Sequence, residues 1–188
     1  MAELHLTAAP TLGGYAKDFD GVTLREVTDM AIVSLAIPLG GEAKAEAALK
    51  SAFGVELPAV GASVIGTDNA RLVRLGVDQA FVLFPCDTPD AEPQIARRLR
   101  GAVYTTDQTD VWVAMEVSGA LARTVLERAC PLDLSESAFA IDQSARTSME
   151  HMGTIITRTG NDTFLLLSAS SSARSFLHML ETSVFNVS

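Results

Sequence analysis

A chain of 188 residues with 48% apolar and 20% charged residues has the composition of a globular protein of one or two domains, long enough to bury roughly 70% of its extended surface. Its formal net charge of −9 argues against nucleic-acid binding, because a phosphate-binding surface needs a net basic face. The sequence has no apolar run of about 18 residues and no signal-peptide pattern at its start, so a cytoplasmic protein that does not cross a membrane is expected.

Acidic and basic residues are distributed unevenly along the chain. Residues 1–94 carry 13 acidic and 6 basic side chains, whereas residues 95–188 carry 10 acidic and 8 basic side chains, all eight of them Arg. Arg without Lys suits fixed ion pairs and protein interfaces better than a solvated surface. The composition of the second half therefore favours fixed polar contacts.

The two cysteines show no metal-binding or redox motif. Cys86 and Cys130 are 44 residues apart, with no CxxC spacing and no nearby pair of histidines. Cys130 falls at the edge of an apolar helix face, so a buried thiol is expected there. A disulfide between the two cysteines is the alternative.

The chain begins with a polar segment over residues 1–21, which contains two adjacent glycines and has no regular apolar period. It is predicted to form an N-terminal arm, either a frayed tail or an extension that wraps around a partner or the second domain. Alternating apolar residues over 22–28 then predict a half-buried strand, and the nearly continuous apolar run over 31–37 predicts a fully buried one.

A helix rich in Ala, Glu and Lys is predicted over residues 42–53. Residues 55–70 lack a helical period and contain Pro58, which predicts a long loop of the kind that often serves function or an interface. Two strands are predicted after it, over residues 71–75 and 79–84.

A short helix with three basic residues on its outward side is predicted over residues 89–100. These residues are Arg97, Arg98 and Arg100. A solvated face is the ordinary role of such a group, and contact with an anion or with another subunit is the alternative.

The second half begins with a strand and a helix. Alternation over residues 111–117 predicts the strand, and a 3.6-residue period over 121–130 predicts an amphipathic helix that Pro131 ends. A long strand over 144–157 and a partner strand over 163–168 are expected to follow.

The last element is predicted to be a helix that ends near residue 184. Hydroxyl groups in residues 170–172 could cap its N-terminus. On the preceding long strand, Arg146, Glu150 and His151 could gather polar groups at one position of the sheet. Ion pairing within the fold is the ordinary explanation, and contact with a ligand or a partner is the alternative.

This order of elements repeats: strand, strand, helix, strand, strand, helix, twice. The first copy spans residues 22–100 and the second spans 101–188, after the arm of residues 1–21. Each copy can close as an antiparallel sheet with two helices on one face. The predicted fold is therefore α+β, with two ferredoxin-like layers.

No motif for catalysis, for a metal or for a nucleotide is present in the sequence. The glycine pairs fit neither GxGxxG nor GxxxxGK[ST], so no dinucleotide or triphosphate site is signalled. The three histidines are too far apart in sequence for a local metal motif. The serines of residues 168–175 have no accompanying Asp/His pattern, so nucleophilic catalysis is not supported. We expect no catalytic residue and no metal ligand on this chain.

Several segments of the second half of the chain together carry a resemblance to a known family. They are 107–113, 118–128 and 130–134, followed by Phe139, Ala145-Arg146-Thr147, His151 and Ser175-Phe176. These segments resemble the gamma subunit of heterotetrameric sarcosine oxidase. The resemblance extends over about residues 100–182 and departs from the family at three turn positions.

The resemblance implies a bacterial cytoplasmic complex that oxidatively demethylates sarcosine to glycine, formaldehyde and hydrogen peroxide, with tetrahydrofolate able to accept the one-carbon unit. It implies alpha, beta and delta subunits as partners, with FAD, FMN and NAD on the large subunits and zinc on the smallest. It also implies a fold like the folate-binding domains of the glycine-cleavage aminomethyltransferase. This chain would bind no cofactor, and would complete the assembly and wall the chamber that the intermediate crosses.

Two other functions remain open at this point. One is a stand-alone protein that binds folate or transfers an aminomethyl group. The other is a structural protein that associates with itself.

Overall fold

The computed structural model describes residues 9–86 and 90–187. These residues form eleven β-strands and four α-helices. The strands are β1 Ala16–Phe19, β2 Val22–Glu26, β3 Met30–Ala36, β4 Ala62–Ile65, β5 Arg71–Arg74, β6 Gln79–Pro85, β7 Tyr104–Asp107, β8 Trp112–Ser118, β9 Ser144–Met149, β10 Met152–Gly160 and β11 Thr163–Ala169. The helices are α1 Glu42–Phe53, α2 Ala91–Leu99, α3 Ala122–Glu127 and α4 Ala173–Phe185.

The strands form two antiparallel sheets. A six-stranded sheet has the order β1-β2-β8-β11-β10-β9, and a five-stranded sheet has the order β4-β5-β6-β3-β7. Every neighbouring pair in both sheets is antiparallel. The predicted α+β class, with two antiparallel sheets and helices, is confirmed.

The fold contains two copies of one unit. The first copy is β3-α1-β4-β5-β6-α2 and the second is β8-α3-β9-β10-β11-α4, and in both sheets the second, third, fourth and first strands of the unit are neighbours in that order. Each copy thus has three strands between its helices, one more than the prediction. The extra strand is β4 in the first copy, inside the predicted loop of residues 55–70. In the second copy the predicted strand over 144–157 is a hairpin of β9 and β10.

The two copies exchange a strand. β2 precedes β3 along the chain but pairs with β8 in the other sheet, and β7 precedes β8 but pairs with β3. The prediction that residues 22–28 belong to the sheet of the first copy is therefore wrong, and the sheets do not divide at residue 100. Periodicity shows which side of a strand is buried, but it does not show which sheet edge the strand joins.

The core has three apolar layers. One lies between the five-stranded sheet and helices α1 and α2, and another between the six-stranded sheet and helices α3 and α4. A third layer joins the two sheets face to face and contains Ile32, Phe81, Leu83, Ile155 and Leu167. The protein is therefore a four-layer sandwich of helices, sheet, sheet and helices.

The N-terminal arm is structured over its described part, and the rest of it, residues 1–8, lies outside the described residues. β1 pairs with β2. The buried carboxylate of Glu26 accepts hydrogen bonds from the backbone N–H groups of Leu12 (2.8 Å), Gly14 (2.7 Å) and Tyr15 (3.3 Å). One acidic side chain thus fixes the path of the segment that leads into β1.

Removing this carboxylate should loosen the N-terminal segment. Hydrogen bonds to a charged group contribute about 1.5–3 kcal/mol each, but amides released at the surface regain water, so we expect Glu26→Ala to lower the free energy of unfolding by about 2 kcal/mol. Glu26→Gln keeps one acceptor and should lose about half as much. Urea unfolding measures both values. Glu46→Ala, at an exposed position of α1, is the control, and an equal loss there would contradict the prediction.

The same segment is joined to α4 by Tyr15, whose hydroxyl donates to Glu181 Oε1 at 2.7 Å. Burial, and then the hydrogen bond to Glu181, raise the pKa of Tyr15 above its usual 10.0. The fold therefore favours the neutral phenol. The stabilisation of the fold by the neutral Tyr15 hydroxyl is fully present below pH 10.0 and is lost as the pH rises above that value.

We expect Tyr15→Phe to be about 1 kcal/mol less stable than the natural protein at neutral pH. The difference should shrink as the pH rises above 10.0, because ionisation of Tyr15 then favours the unfolded chain of the natural protein only. Urea unfolding at a series of pH values measures it. A difference that grows above pH 10 would refute this role for the hydroxyl group.

The predicted capping of the last helix by residues 170–172 is wrong. These residues form a short 3-10 turn, and Ser172, the N-cap of α4, makes no side-chain capping bond. Ser170 Oγ instead donates to the carbonyl of Asp110 at 2.8 Å, which joins the start of α4 to the turn before β8. Neither Cys86 nor the buried Cys130 is in a disulfide.

Candidate functional site

The three basic residues of α2 differ in their contacts. The Arg98 guanidinium donates to the Asp68 carboxylate and lies 5.0 Å from the centre of the Phe53 ring. It therefore joins α2 to the turn before β5 and to the end of α1. Arg97 and Arg100 are exposed, and their contact with an anion or a subunit stays a prediction.

The expected gathering of Arg146, Glu150 and His151 is wrong. Arg146 lies on β9 and donates from Nη2 to Gln79 Oε1 at 2.8 Å. Glu150 and His151 are the exposed residues of the β9–β10 turn and have positive φ values of 43° and 70°. Both side chains lie in the hairpin turn, and Glu150 is four residues beyond Arg146 on an extended strand, roughly 13 Å along the chain. Their contact with a partner also stays a prediction.

A buried arginine that the sequence analysis did not single out binds backbone carbonyl groups near the end of β10. Arg158 on β10 is 5% exposed. It donates to the carbonyls of Gly160 (3.2 Å), Phe139 (2.9 Å) and Asn161 (2.6 Å), and its guanidinium lies 5.7 Å from the centre of the Phe164 ring. Its signal in the sequence is a charged residue on a strand that is otherwise apolar or uncharged.

The two copies meet through polar contacts at one side of the molecule. Arg71 on β5 donates from Nη1 to Asp142 Oδ1 and to Ser63 Oγ. Beside it the backbone N–H of Ser63 donates to the carbonyl of Asp142 at 2.6 Å, and that of Ser144 donates to Gly61 at 2.8 Å. These bonds join the start of β4 to residues 142–144 at the start of β9. They therefore hold one copy against the other.

Two grooves are open to solvent. An apolar groove of about 200 Å³ between the sheets includes Val27, Met30 and Leu165 in its lining. A polar groove of about 320 Å³ includes Arg123, Glu136 and Arg158. Neither groove brings together a nucleophile and a base in the manner of a catalytic pair. Within residues 9–86 and 90–187, no group of three or more His, Cys, Asp or Glu side chains could hold a metal ion.

One end of the five-stranded sheet is uncovered on the side that faces the other sheet. Ile32 on β3 packs between the sheets, and side chains two and four residues further along the strand point the same way. Those are Ser34, which is half-buried, and Ala36, which is exposed. Their cross-strand neighbours on β7, Thr106 and Tyr104, are exposed too. We call these four residues the open face.

The open face and the turns beside it expose large apolar side chains. Tyr104 is 71% exposed, Val77 in the β5–β6 turn is 74% exposed, and Leu39 after β3 is fully exposed. Tyr104, Val77 and Leu39 lie at the same end of the five-stranded sheet. The N–H of Ile37, two residues before Leu39, donates to the carbonyl of Asp78, which follows Val77, and Ala36 pairs with Tyr104. Clustered exposed apolar side chains mark interaction sites more often than isolated ones do.

The described residues therefore offer a binding surface more readily than a reaction centre. The sequence contained a signal for this surface: Leu39 stands between Pro38 and Gly40, and Val77 follows Gly76, in turns where apolar residues are unusual. None of the helices that the structure describes is long and apolar enough to cross a membrane.

Comparison with known proteins gives a consistent result over nearly the whole chain. Residues 40–185 match the family described as "Sarcosine oxidase, gamma subunit family". The sarcosine oxidase subunit gamma of Corynebacterium sp. strain U-96 is 29% identical over 182 residues, which cover 94% of this chain and 85% of the relative. That of strain P-1 is 28% identical over 178 residues, with the same coverage.

Two solved structures share the fold. One is the heterotetrameric sarcosine oxidase from Corynebacterium sp. U-96 in complex with pyrrole 2-carboxylate, with a TM-score of 0.77, 26% identity, and coverage of 88% of this chain and 84% of the matched chain. The other is the glycine cleavage system aminomethyltransferase T from Bartonella henselae, with a TM-score of 0.66 and 20% identity. The match covers 85% of this chain and 45% of the aminomethyltransferase chain, and this likeness shows the fold alone.

Proposed function

This chain belongs to the sarcosine oxidase gamma subunit family, and we propose from that membership that it is the gamma subunit of a heterotetrameric sarcosine oxidase. The observation that carries the proposal is the match in both sequence and structure over most of the chain. The family match spans residues 40–185, and the structural match to a heterotetrameric sarcosine oxidase has a TM-score of 0.77. The gamma-subunit relatives are covered over 85% of their length, so this chain corresponds to nearly the whole of such a subunit.

In this proposal the chain completes a cytoplasmic complex with alpha, beta and delta subunits. The complex would oxidatively demethylate sarcosine, and tetrahydrofolate would accept the one-carbon unit. The chain itself would bind none of the cofactors and would contribute to assembly and to the wall of the chamber that the intermediate crosses. The open face and the exposed Leu39 and Val77 support a role in assembly, because burying apolar area favours association.

Purification of the tagged chain from its native host tests the proposal. We expect larger, yellow subunits that carry flavin to be recovered with it, and the purified complex to consume oxygen when sarcosine is added. The isolated chain, produced alone, should be colourless and should not consume oxygen. Recovery of the tagged chain without any flavin-bearing partner would refute the subunit assignment.

The aminomethyltransferase fold suggests a second measurement. A stand-alone folate-binding protein would bind a reduced folate as an isolated chain, which titration calorimetry detects. We expect no tight binding, because the chain corresponds to 45% of the aminomethyltransferase that it resembles. Tight binding would favour the stand-alone function instead.

A further inference from the structure

We propose that the outer edge of β7 pairs with an extended segment of another subunit of the complex, and that this segment carries a basic side chain opposite Asp107. The proposal rests on the proposed function and names one surface through which that function is carried out. The interaction would be β-augmentation, in which a strand of the partner adds to the five-stranded sheet.

The register of β7 leaves part of its backbone pointing outward. The N–H of Gln108 donates to the carbonyl of Ile32 at 2.8 Å, so Gln108 faces β3. Because backbone groups alternate along an antiparallel strand, the N–H and C=O groups of Thr105 and Asp107 point away from β3. Within the described parts of the chain, β7 pairs with β3 alone, and no backbone hydrogen bond reaches these outward groups. An edge of this kind is a template for another strand.

The internal repeat shows what such an edge accepts in this fold. β7 and β2 occupy equivalent positions, since each is paired with the first strand of a copy, β3 or β8. The outer edge of β2 is covered by β1 in antiparallel pairing. The six-stranded sheet thus has a strand at the place that is uncovered beside β7. In the six-stranded sheet the strand that covers this edge, β1, comes from the same chain. In the five-stranded sheet the corresponding strand would come from another subunit.

The β7 edge carries neither Lys nor Pro, which often keep a natural edge strand single. Its sequence is Tyr-Thr-Thr-Asp, so Asp107 is its one charged residue. Its exposed Tyr104 belongs to the open face, next to Leu39 and Val77, so a partner strand there would cover apolar area as well as backbone groups.

Charge at the edge specifies the partner further. Asp107 and Asp110 are both exposed at one end of β7, and the whole chain has a net charge of −9. A basic side chain directly across from Asp107 would form a favourable cross-strand pair, whereas an acidic one would be repelled. A second copy of this acidic chain is a poorer occupant for the same reason.

A proline substitution tests the edge directly. Thr105→Pro removes an outward N–H and places a ring where a partner strand would lie, while the groups that bind β3 stay in place. We expect at least a tenfold lower recovery of the flavin-bearing subunits with the tagged variant. Thr105→Val is the matched control, because it keeps the N–H and loses only the hydroxyl that binds Glu92; it should assemble normally.

A second variant and a second readout separate pairing from misfolding. Asp107→Asn removes the charge and can still accept the N–H of Thr109 as Asp107 Oδ1 does; it should weaken assembly a few-fold at low salt and little at high salt. Hydrogen exchange on the unsubstituted protein should show the amides of Thr105 and Asp107 protected in the complex and exchanging freely in the isolated chain.

The outcomes are distinct. Normal assembly of Thr105→Pro, or fast exchange of both amides inside the complex, overturns the edge proposal and leaves the subunit assignment intact. A dimer of the isolated chain that Thr105→Pro abolishes, with normal assembly of the complex, shows that the occupant is a second copy and also overturns it. Failure of the unsubstituted chain to recover flavin-bearing subunits refutes the proposed function itself.

Discussion

Arg158→Ala is expected to lower the free energy of unfolding by about 4 kcal/mol, because it leaves a buried site without the donor that its carbonyl groups require. The guanidinium serves three carbonyl oxygens, from Phe139, Gly160 and Asn161. Truncation would leave the buried carbonyl of Phe139 unpaired and open a cavity next to the Phe164 ring. Both consequences destabilise the folded state.

Urea unfolding at neutral pH measures this loss. Arg158→Lys should have intermediate stability, since an ammonium on a shorter side chain keeps the charge but cannot reproduce the fork of donors. Arg174→Ala is the control, because Arg174 is exposed on α4 and its loss should change stability by less than about 0.5 kcal/mol. A loss below about 1 kcal/mol for Arg158→Ala would show that water replaces the guanidinium at this site.

Gly119→Ala is the second substitution with a large expected effect. Gly119 lies between β8 and α3 with φ at +116°, and an added Cβ would lie 2.5 Å from the carbonyl oxygen of Gly21. That carbonyl accepts the N–H of Leu121 at 2.9 Å, so neither backbone segment can move without loss of a bond. We expect a loss of about 3 kcal/mol from the clash and the strained backbone together.

Gly153→Ala provides the matched control. Gly153 lies on β10, and a Cβ there would meet nothing within 4 Å. The substitution should be neutral or slightly stabilising, because alanine restricts the unfolded chain more than glycine does. Equal stability of the two alanine variants in urea would mean that the turn at Gly119 relaxes without cost.

The sequence predicted elements that have a buried side and missed those that do not. The strands over 31–37 and 79–84 and the helix over 42–53 were predicted from their apolar pattern and are confirmed. β1 and β7 are four-residue edge strands with mostly exposed side chains, so no apolar alternation marks them. β4 is also short, and lies between glycines that indicated a loop.

The polar residues illustrate a second limit. The hairpin turn at Glu150 and His151 uses positive φ values without Gly or Asn, so no typical turn residue marks the point at which the chain reverses. Glu26 could have been found: it continues the buried phase of Val22 and Leu24 on β2, and a carboxylate at such a position implies donors around it. Which donors these are depends on the path of the N-terminal segment, which local sequence does not specify.

The exchange of β2 and β7 has a consequence for any attempt to divide this protein. A cut at residue 100 would give one fragment that has β1 and β2 but not β8, with which β2 pairs, and another that has β7 but not β3. Each fragment would contain a strand whose sheet is missing, and would leave one edge of its own sheet unpaired. Neither fragment should therefore be soluble by itself. Mixed together, the fragments could reassemble by mutual donation, much as domain-swapped protomers do. Because each copy contributes a strand to the sheet of the other, the two copies should unfold in a single cooperative transition.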